Sequence, residues 1–225
     1  CYTLNFPLQT ACSFDRLHEA FRNCQRCQLA NTRCKTALWR GDPHAEVLFL
    51  GQCPGQVEDT TGLPFVGPSG NLLDLMLREA QFPEIYGISN IVGCSPNTGL
   101  ANNRDDPTLA ECLACSDRLW CLLLTVRPKI IVALGRLPAT MFIANNPKAV
   151  ALNEIIQLGS NHFAQMRHPA YLLRRLGQHS TYELTEAITF LKQLRDQLPD
   201  YNRPDHLQYF GEVCPFPPIE AYFNL

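Results

Sequence analysis

The sequence predicts an α/β protein, a three-layer α/β/α arrangement around a central, mostly parallel four-stranded sheet. Three observations carry this. Short apolar runs alternate along the chain with amphipathic stretches of helical period. Three of those runs end on a glycine, at Gly51, Gly93 and Gly135, as strands do where they hand over to a loop. The 225 residues, 46% hydrophobic and 18% charged, suffice for one core of that size.

The elements follow in order. Phe14, Leu17 and Phe21 at helical spacing predict a short helix over 14–23 that runs straight into Cys24-Gln-Arg-Cys27. Glu46–Leu50 reads as a buried strand. Residues 69–80 follow as a helix, with Ser69 as N-cap and an apolar stripe of Leu72, Leu73, Met76 and Leu77. Ile88–Val92 is the second strand. Pro107 is placed to open a helix over 107–126. Lys129–Leu134, rich in β-branched residues, is the third strand, and 136–144 the next helix. Phe163–Met166 is the fourth strand, before His168-Pro169, and 180–197 is the last amphipathic helix. The organisation is one domain over 1–198 and an irregular Pro/aromatic-rich tail over 199–225, which wraps the domain or contacts a protein partner.

Composition excludes several classes. A hydrophobic fraction of 46% rules out wholesale disorder. No apolar run approaches the roughly 18–20 residues of a membrane span, so no membrane partner is expected. Eleven cysteines is too sparse for a disulfide scaffold, and an odd count cannot pair fully within one chain. That points to a reducing, cytoplasmic interior. The net charge of −2 hides a pattern. Residues 127–175 carry 7 basic groups and 1 acidic, a local +6 between two acidic regions, which is what phosphate contact requires; a solvated face is the plainer alternative.

Ligands of parallel sheets bind beyond the C-terminal ends of the strands, so chemistry is sought there. After the first strand comes Gly51-Gln-Cys-Pro-Gly55, then Glu58-Asp59, then Gly62-Leu-Pro-Phe-Val-Gly67. So many glycines and prolines specify a backbone path that can aim N–H groups at an electron-rich atom. Cys24-x2-Cys27 sets two thiolates within reach of one centre, and Cys94 and Cys112 supply a second pair, with Cys115 one turn further on. Four thiolates suit a [4Fe–4S] cluster or a structural zinc, and the spacing alone leaves both open.

The stretch 51–77 resembles motif 1 of the uracil-DNA glycosylase superfamily, most closely the family four iron–sulfur branch, with its G-E-x-P-G…E-D…G-x-P-F-V-G-x-x-G-x-L-L pattern. Ile88-Ser-Asn90-Ile-Val-Gly-Cys94 is similar to its T-N-x-x-x-C segment, Arg127–Gly135 to its R-P-x-x-I-x-x-L-G strand, and His168-Pro-Ala-Tyr-Leu-Leu-Arg174 to its motif 2. These matches run in order over about residues 20–195. The resemblance implies a DNA glycosylase that flips uracil out of DNA and hydrolyses its N-glycosidic bond in base excision repair, acting as a monomeric catalytic unit. It also selects the 4Fe-4S cluster over zinc, held by Cys24, Cys27, Cys94 and Cys112.

The same resemblance implies roles. Phe65 stacks on the flipped base, and Asn90 reads its Watson–Crick edge with one donor and one acceptor. Backbone around Gln52 and Cys53 binds the uracil O2, and His168 donates to that oxygen as charge builds. Glu58 or Asp59 positions water or offsets the cationic sugar, while Arg174 and Arg175 lie near phosphates. The chain departs from the pattern in places. Gln52 replaces glutamate, and Cys53 stands where the classical enzymes of the superfamily carry a catalytic aspartate. Gly93-Cys94-Ser95-Pro96 replaces K-C-R-P, and 97–106 is long. A relative that traps uracil through a histidine in this loop is excluded, because no histidine lies between 45 and 161. Two alternatives follow from these departures: a glycosylase of the same fold for another modified base, and a catalytically weak DNA- or protein-binding module.

Overall fold

The computed structural model describes residues 13–96, 106–143, 150–158, 161–176 and 181–201. Six strands form one sheet in the order β1-β3-β2-β4-β6-β5. Its centre is four parallel strands: β2 (Val47–Gly51), β3 (Tyr86–Asn90), β4 (Ile130–Leu134) and β6 (Asn161–Met166). Two short strands, β1 (Arg40–Gly41) and β5 (Ile155–Leu158), add antiparallel edges. The four expected strands are therefore present, and the sheet is wider than expected by these two.

Alternation along each central strand fills two separate cores. Val47, Phe49, Ile130, Val132 and Leu134 face one side, where α3 (Pro68–Glu79), α7 (Pro169–Leu176) and α8 (Thr181–Gln197) cover them. Leu48, Leu50, Ile131 and Ala133 face the other, against α1 (Phe14–Phe21), α5 (Ser116–Val126) and α6 (Arg136–Ile143). Strands buried on both faces read as continuous apolar runs, which is why the central four were legible. The expected α/β/α layering is observed.

Several boundaries differ from expectation, each for a local reason. The second strand ends at Asn90 rather than Val92. Ile91 and Val92 leave the regular ladder, yet their N–H groups still donate to the Gly51 and Gln52 carbonyls (2.9 and 3.0 Å). Gly67, not Ser69, caps α3, because Pro68 takes its first turn. The helix expected from Pro107 starts instead at Leu109. Thr108 caps it, exchanging hydrogen bonds with Glu111 (3.3 and 2.7 Å). That helix also breaks in two at Cys115, giving α4 (Leu109–Ala114) and α5. Within the glycine-rich loop lies a short helix, α2 (Gln56–Thr61). Residues 202–225, most of the expected tail, and residues 97–105 lie outside the described residues. The last described residue, Tyr201, stacks on His162 at 3.8 Å.

Candidate active site and a cysteine-lined cavity

β3 and β4 flank β2 on opposite sides, so the chain order reverses across β2 and opens a crevice beyond its C-terminal end. The residues singled out from the sequence converge there. Asn90 is the last residue of β3, 1% exposed, and neither its amide oxygen nor its amide nitrogen has a hydrogen-bond partner. A buried polar group left unmatched costs on the order of 1–3 kcal/mol, and native cores tolerate few of them. Gly51, at the end of β2, makes room for it: a Cβ there would lie 2.4 Å from both Asn90 Oδ1 and the Phe65 ring. Phe65 is 5% exposed and has a left-handed backbone, φ 55°. Its carbonyl runs against the first turn of α3, where a side chain on Gly70 would come within 1.8 Å of it. A phenylalanine held in a strained backbone at a strand-end crevice is placed rather than merely packed.

His168 follows β6. Its ring lies 5.7 Å from that of Phe65. The Ala170 N–H donates to His168 Nδ1 (3.1 Å), so in the neutral ring the proton sits on Nε2. Burial first, and the nearby Arg174 second, push its pKa down to about 4; Asp106 pulls the other way. At neutral pH His168 is therefore an uncharged Nε2–H donor.

The two acids of the loop are engaged differently from the expectation. Glu58 accepts from the N–H groups of Val66 (2.9 Å) and Gly67 (2.7 Å) through one oxygen and from Gly55 (3.1 Å) through the other. Both Asp59 oxygens accept from the Cys34 N–H (3.1 and 3.0 Å). At 8% and 5% exposure, Glu58 clamps the loop that carries Phe65 and Asp59 ties α2 to the Cys34 segment. Gln52 donates its side-chain amide to Asp106, a residue for which the sequence gave no role. Cys53 packs, half-buried, against the core on the α1–α5 side. Arg174 is exposed at the end of α7, and Arg175 lies 3.5 Å from Glu183.

On the α1–α5 face lies a cavity lined by Cys24, Cys27, Cys94 and Cys115, with Arg26, Arg33 and Arg118 in its wall. Cys115 lines it, and Cys112, the fourth ligand that the resemblance implied, does not. The helix break at Cys115 turns that thiol toward the cavity, where the Gly93 N–H (3.4 Å) and Arg118 Nε (3.2 Å) meet its sulfur. Cys112 is 2% exposed in the core, and burial lifts its thiol to about 12. Burial likewise lifts Cys94 to about 12. Arg118 is itself 2% exposed. Its contacts are Cys115 Sγ, the Ser89 hydroxyl and the Asn90 and Ile91 carbonyls. A buried guanidinium with no carboxylate partner among the described residues calls for an anion nearby. Among the described residues the cysteines form no disulfide.

At the C-terminal end of this parallel α/β sheet an orphaned asparagine, a constrained aromatic and an uncharged histidine come together. The uracil DNA glycosylase superfamily model matches residues 38–198, and the chain belongs to that superfamily, in its type-4 branch. It is 35% identical to the type-4 uracil-DNA glycosylase of Thermotoga maritima, over 78% of this chain and 93% of the relative. Against the enzyme of the same name from Archaeoglobus fulgidus it is 38% identical over 90% and 94%. That of Saccharolobus solfataricus is 39% identical over 55% of this chain and 56% of its own length.

Proposed function

We propose that this chain removes uracil from DNA by hydrolysing the N-glycosidic bond and leaving an abasic site. The observation that carries the reading is the Asn90 amide. A donor and an acceptor, both buried and both unmatched, are the complement of a base edge that presents one of each. The type-4 relatives carry this activity in their names.

The geometry supports a division of work. A nucleotide flipped from the stack places its base against Phe65, with Asn90 pairing to its edge. As the N1–C1′ bond breaks, its electron pair moves onto the base and gathers on O2. His168, uncharged and donating from Nε2, stabilises that oxygen without bringing a full charge into the pocket. Glu58 acts through the loop it holds and Asp59 through the Cys34 segment it ties to α2. Arg174, which has no anionic partner among the described residues, is placed to meet a phosphate.

The cysteine-lined cavity fits a 4Fe-4S cluster held by Cys24, Cys27, Cys94 and Cys115. A zinc ion would draw four thiolates to within about 3.8 Å of one another, given Zn–S bonds of about 2.3 Å. Four thiols lining one cavity, with three arginines in its wall, would hold an anionic cluster. Three arginines in the wall offset its anionic ligands and replace the charges missing around Cys94. When bound, the cluster is a structural staple between the Cys24–Cys27 turn and the loop after β3.

The test is base release from a uracil-containing oligonucleotide, read as strand cleavage at the abasic product. Release from uracil but not from cytosine or thymine is expected. Its absence on both single- and double-stranded substrates would overturn the reading.

A further inference from the structure

Hydrolysis is sped by a base near the reacting sugar that takes the proton of the attacking water, and a carboxylate there also faces the cationic ring as the base departs. The place after the first strand where such a group would sit holds Cys53. The two acids that follow it are committed: Glu58 accepts from three N–H groups of the loop that carries Phe65, and both Asp59 oxygens accept from the single Cys34 N–H. Glu58 cannot move onto a water without loosening that loop, nor Asp59 without releasing the Cys34 segment.

A different acid reaches the crevice from the opposite direction. Asp106 lies just ahead of α4, far from motif 1 in sequence. Its Oδ1 is bound by the side-chain amide of Gln52, the residue that follows β2, which holds the carboxylate near the C-terminal end of that strand. Its negative charge is felt at His168 as well. Asp106 is also exposed, as a group that must meet a water and then lose its proton to solvent has to be.

We infer that Asp106 is the catalytic base of this chain, supplying from the segment after β3 the carboxylate that motif 1 lacks at Cys53. In the step it serves, the N1–C1′ bond breaks and its electron pair leaves with uracil. The water oxygen bonds to C1′, and the water proton passes to Asp106. Asp106 returns that proton to solvent, and the uracil anion is protonated in turn, so the sum is hydrolysis. Gln52 holds the carboxylate in place through Oδ1 and leaves Oδ2 for the water.

This inference rests on the glycosylase reading, and the experiment separates the two. Single-turnover base release and oligonucleotide affinity are measured for the wild-type chain and for Asp106→Asn, Asp106→Glu and Gln52→Ala. Asp106→Asn should slow release about 10²-fold at unchanged affinity and unchanged melting temperature. Asp106→Glu should recover part of that loss, and Gln52→Ala should lose less than tenfold. Wild-type release with Asp106→Asn within threefold of it would overturn this inference alone. So would equal losses in Asp106→Asn and Gln52→Ala with no recovery by glutamate, which would mean that Asp106 only orients Gln52. No release from the wild-type chain would overturn the glycosylase reading and this one with it.

Discussion

Replacing Asn90 by leucine should make the protein more stable and inactive at once. The side chains are close in shape, so the swap adds little volume beside Gly51 and Phe65, where there is none to spare. What it removes is two buried polar atoms with no partner. Each costs on the order of 1–3 kcal/mol in the folded state; allowing for some strain from the new methyl groups, a net gain of about 1–3 kcal/mol remains. For a domain of this size that is a rise of roughly 2–12 °C in melting temperature, at about 2–4 °C per kcal/mol. Losing both base-edge hydrogen bonds, in a site built to make them, should cost release at least about 10⁴-fold. Thermal melts and single-turnover release on the same preparation test both halves. A drop in melting temperature with activity retained would refute the reasoning, since it would show the amide to be satisfied by the fold itself.

Three more perturbations follow from the same geometry. Gly51→Ala puts a methyl into Asn90 and Phe65 at 2.4 Å and should abolish uracil release with the fold retained, as read by circular dichroism and the oligonucleotide assay. For His168, with a folded pKa of about 4 against an ordinary 6.5, the unfolded chain takes up a proton that the native chain refuses. Stability should therefore be fully present above pH 6.5 and fall by on the order of 3 kcal/mol as pH drops from 6.5 toward 4; His168→Asn should flatten that slope in denaturant titrations. Cys115→Ser should abolish the visible absorbance and the iron content of protein purified without oxygen, whereas Cys112→Ser should keep both; the reverse result would restore Cys112 as the ligand.

The central strands and the main helices were legible because each buries a long apolar face. The edges were not. β1 is two residues, one of them glycine, and offers no periodicity. β5 is four, although the Gly159-Ser160 pair between Ile155–Leu158 and the next apolar run is a recognisable hairpin signature. α2 was hidden by the glycines and prolines around it, and α7 by the attention drawn to His168, though Pro169 at a first-turn position marks its start. Asn90, Phe65 and His168 were legible from their places after strands and from motif resemblance. The engagement of Glu58 and Asp59 was not, since their partners are backbone N–H groups, which leave no trace in side-chain sequence. Cys112 and Cys115 could not be told apart by spacing, because a break in the helix decides which of them turns to the cavity. Asp106 gave no signal at all: it is one more acid in a polar stretch until the fold sets it against Gln52.

The order of the strands also fixes when this chain becomes competent as it is made. Phe65 and Asn90 belong to β2, β3 and the loops between them, which pair directly with one another. His168 arrives only with β6, and β6 touches the central sheet solely through β4. A chain still emerging from its C-terminal third thus holds a base-reading half with no hydrogen-bond donor to complete the reaction. It gains that donor only after the most sequence-distant central strand has closed its loop, the slow step in sheets of this topology. On the proposed reading, copies that stop short of β6 would hold the base-reading asparagine and phenylalanine without the histidine that completes base release.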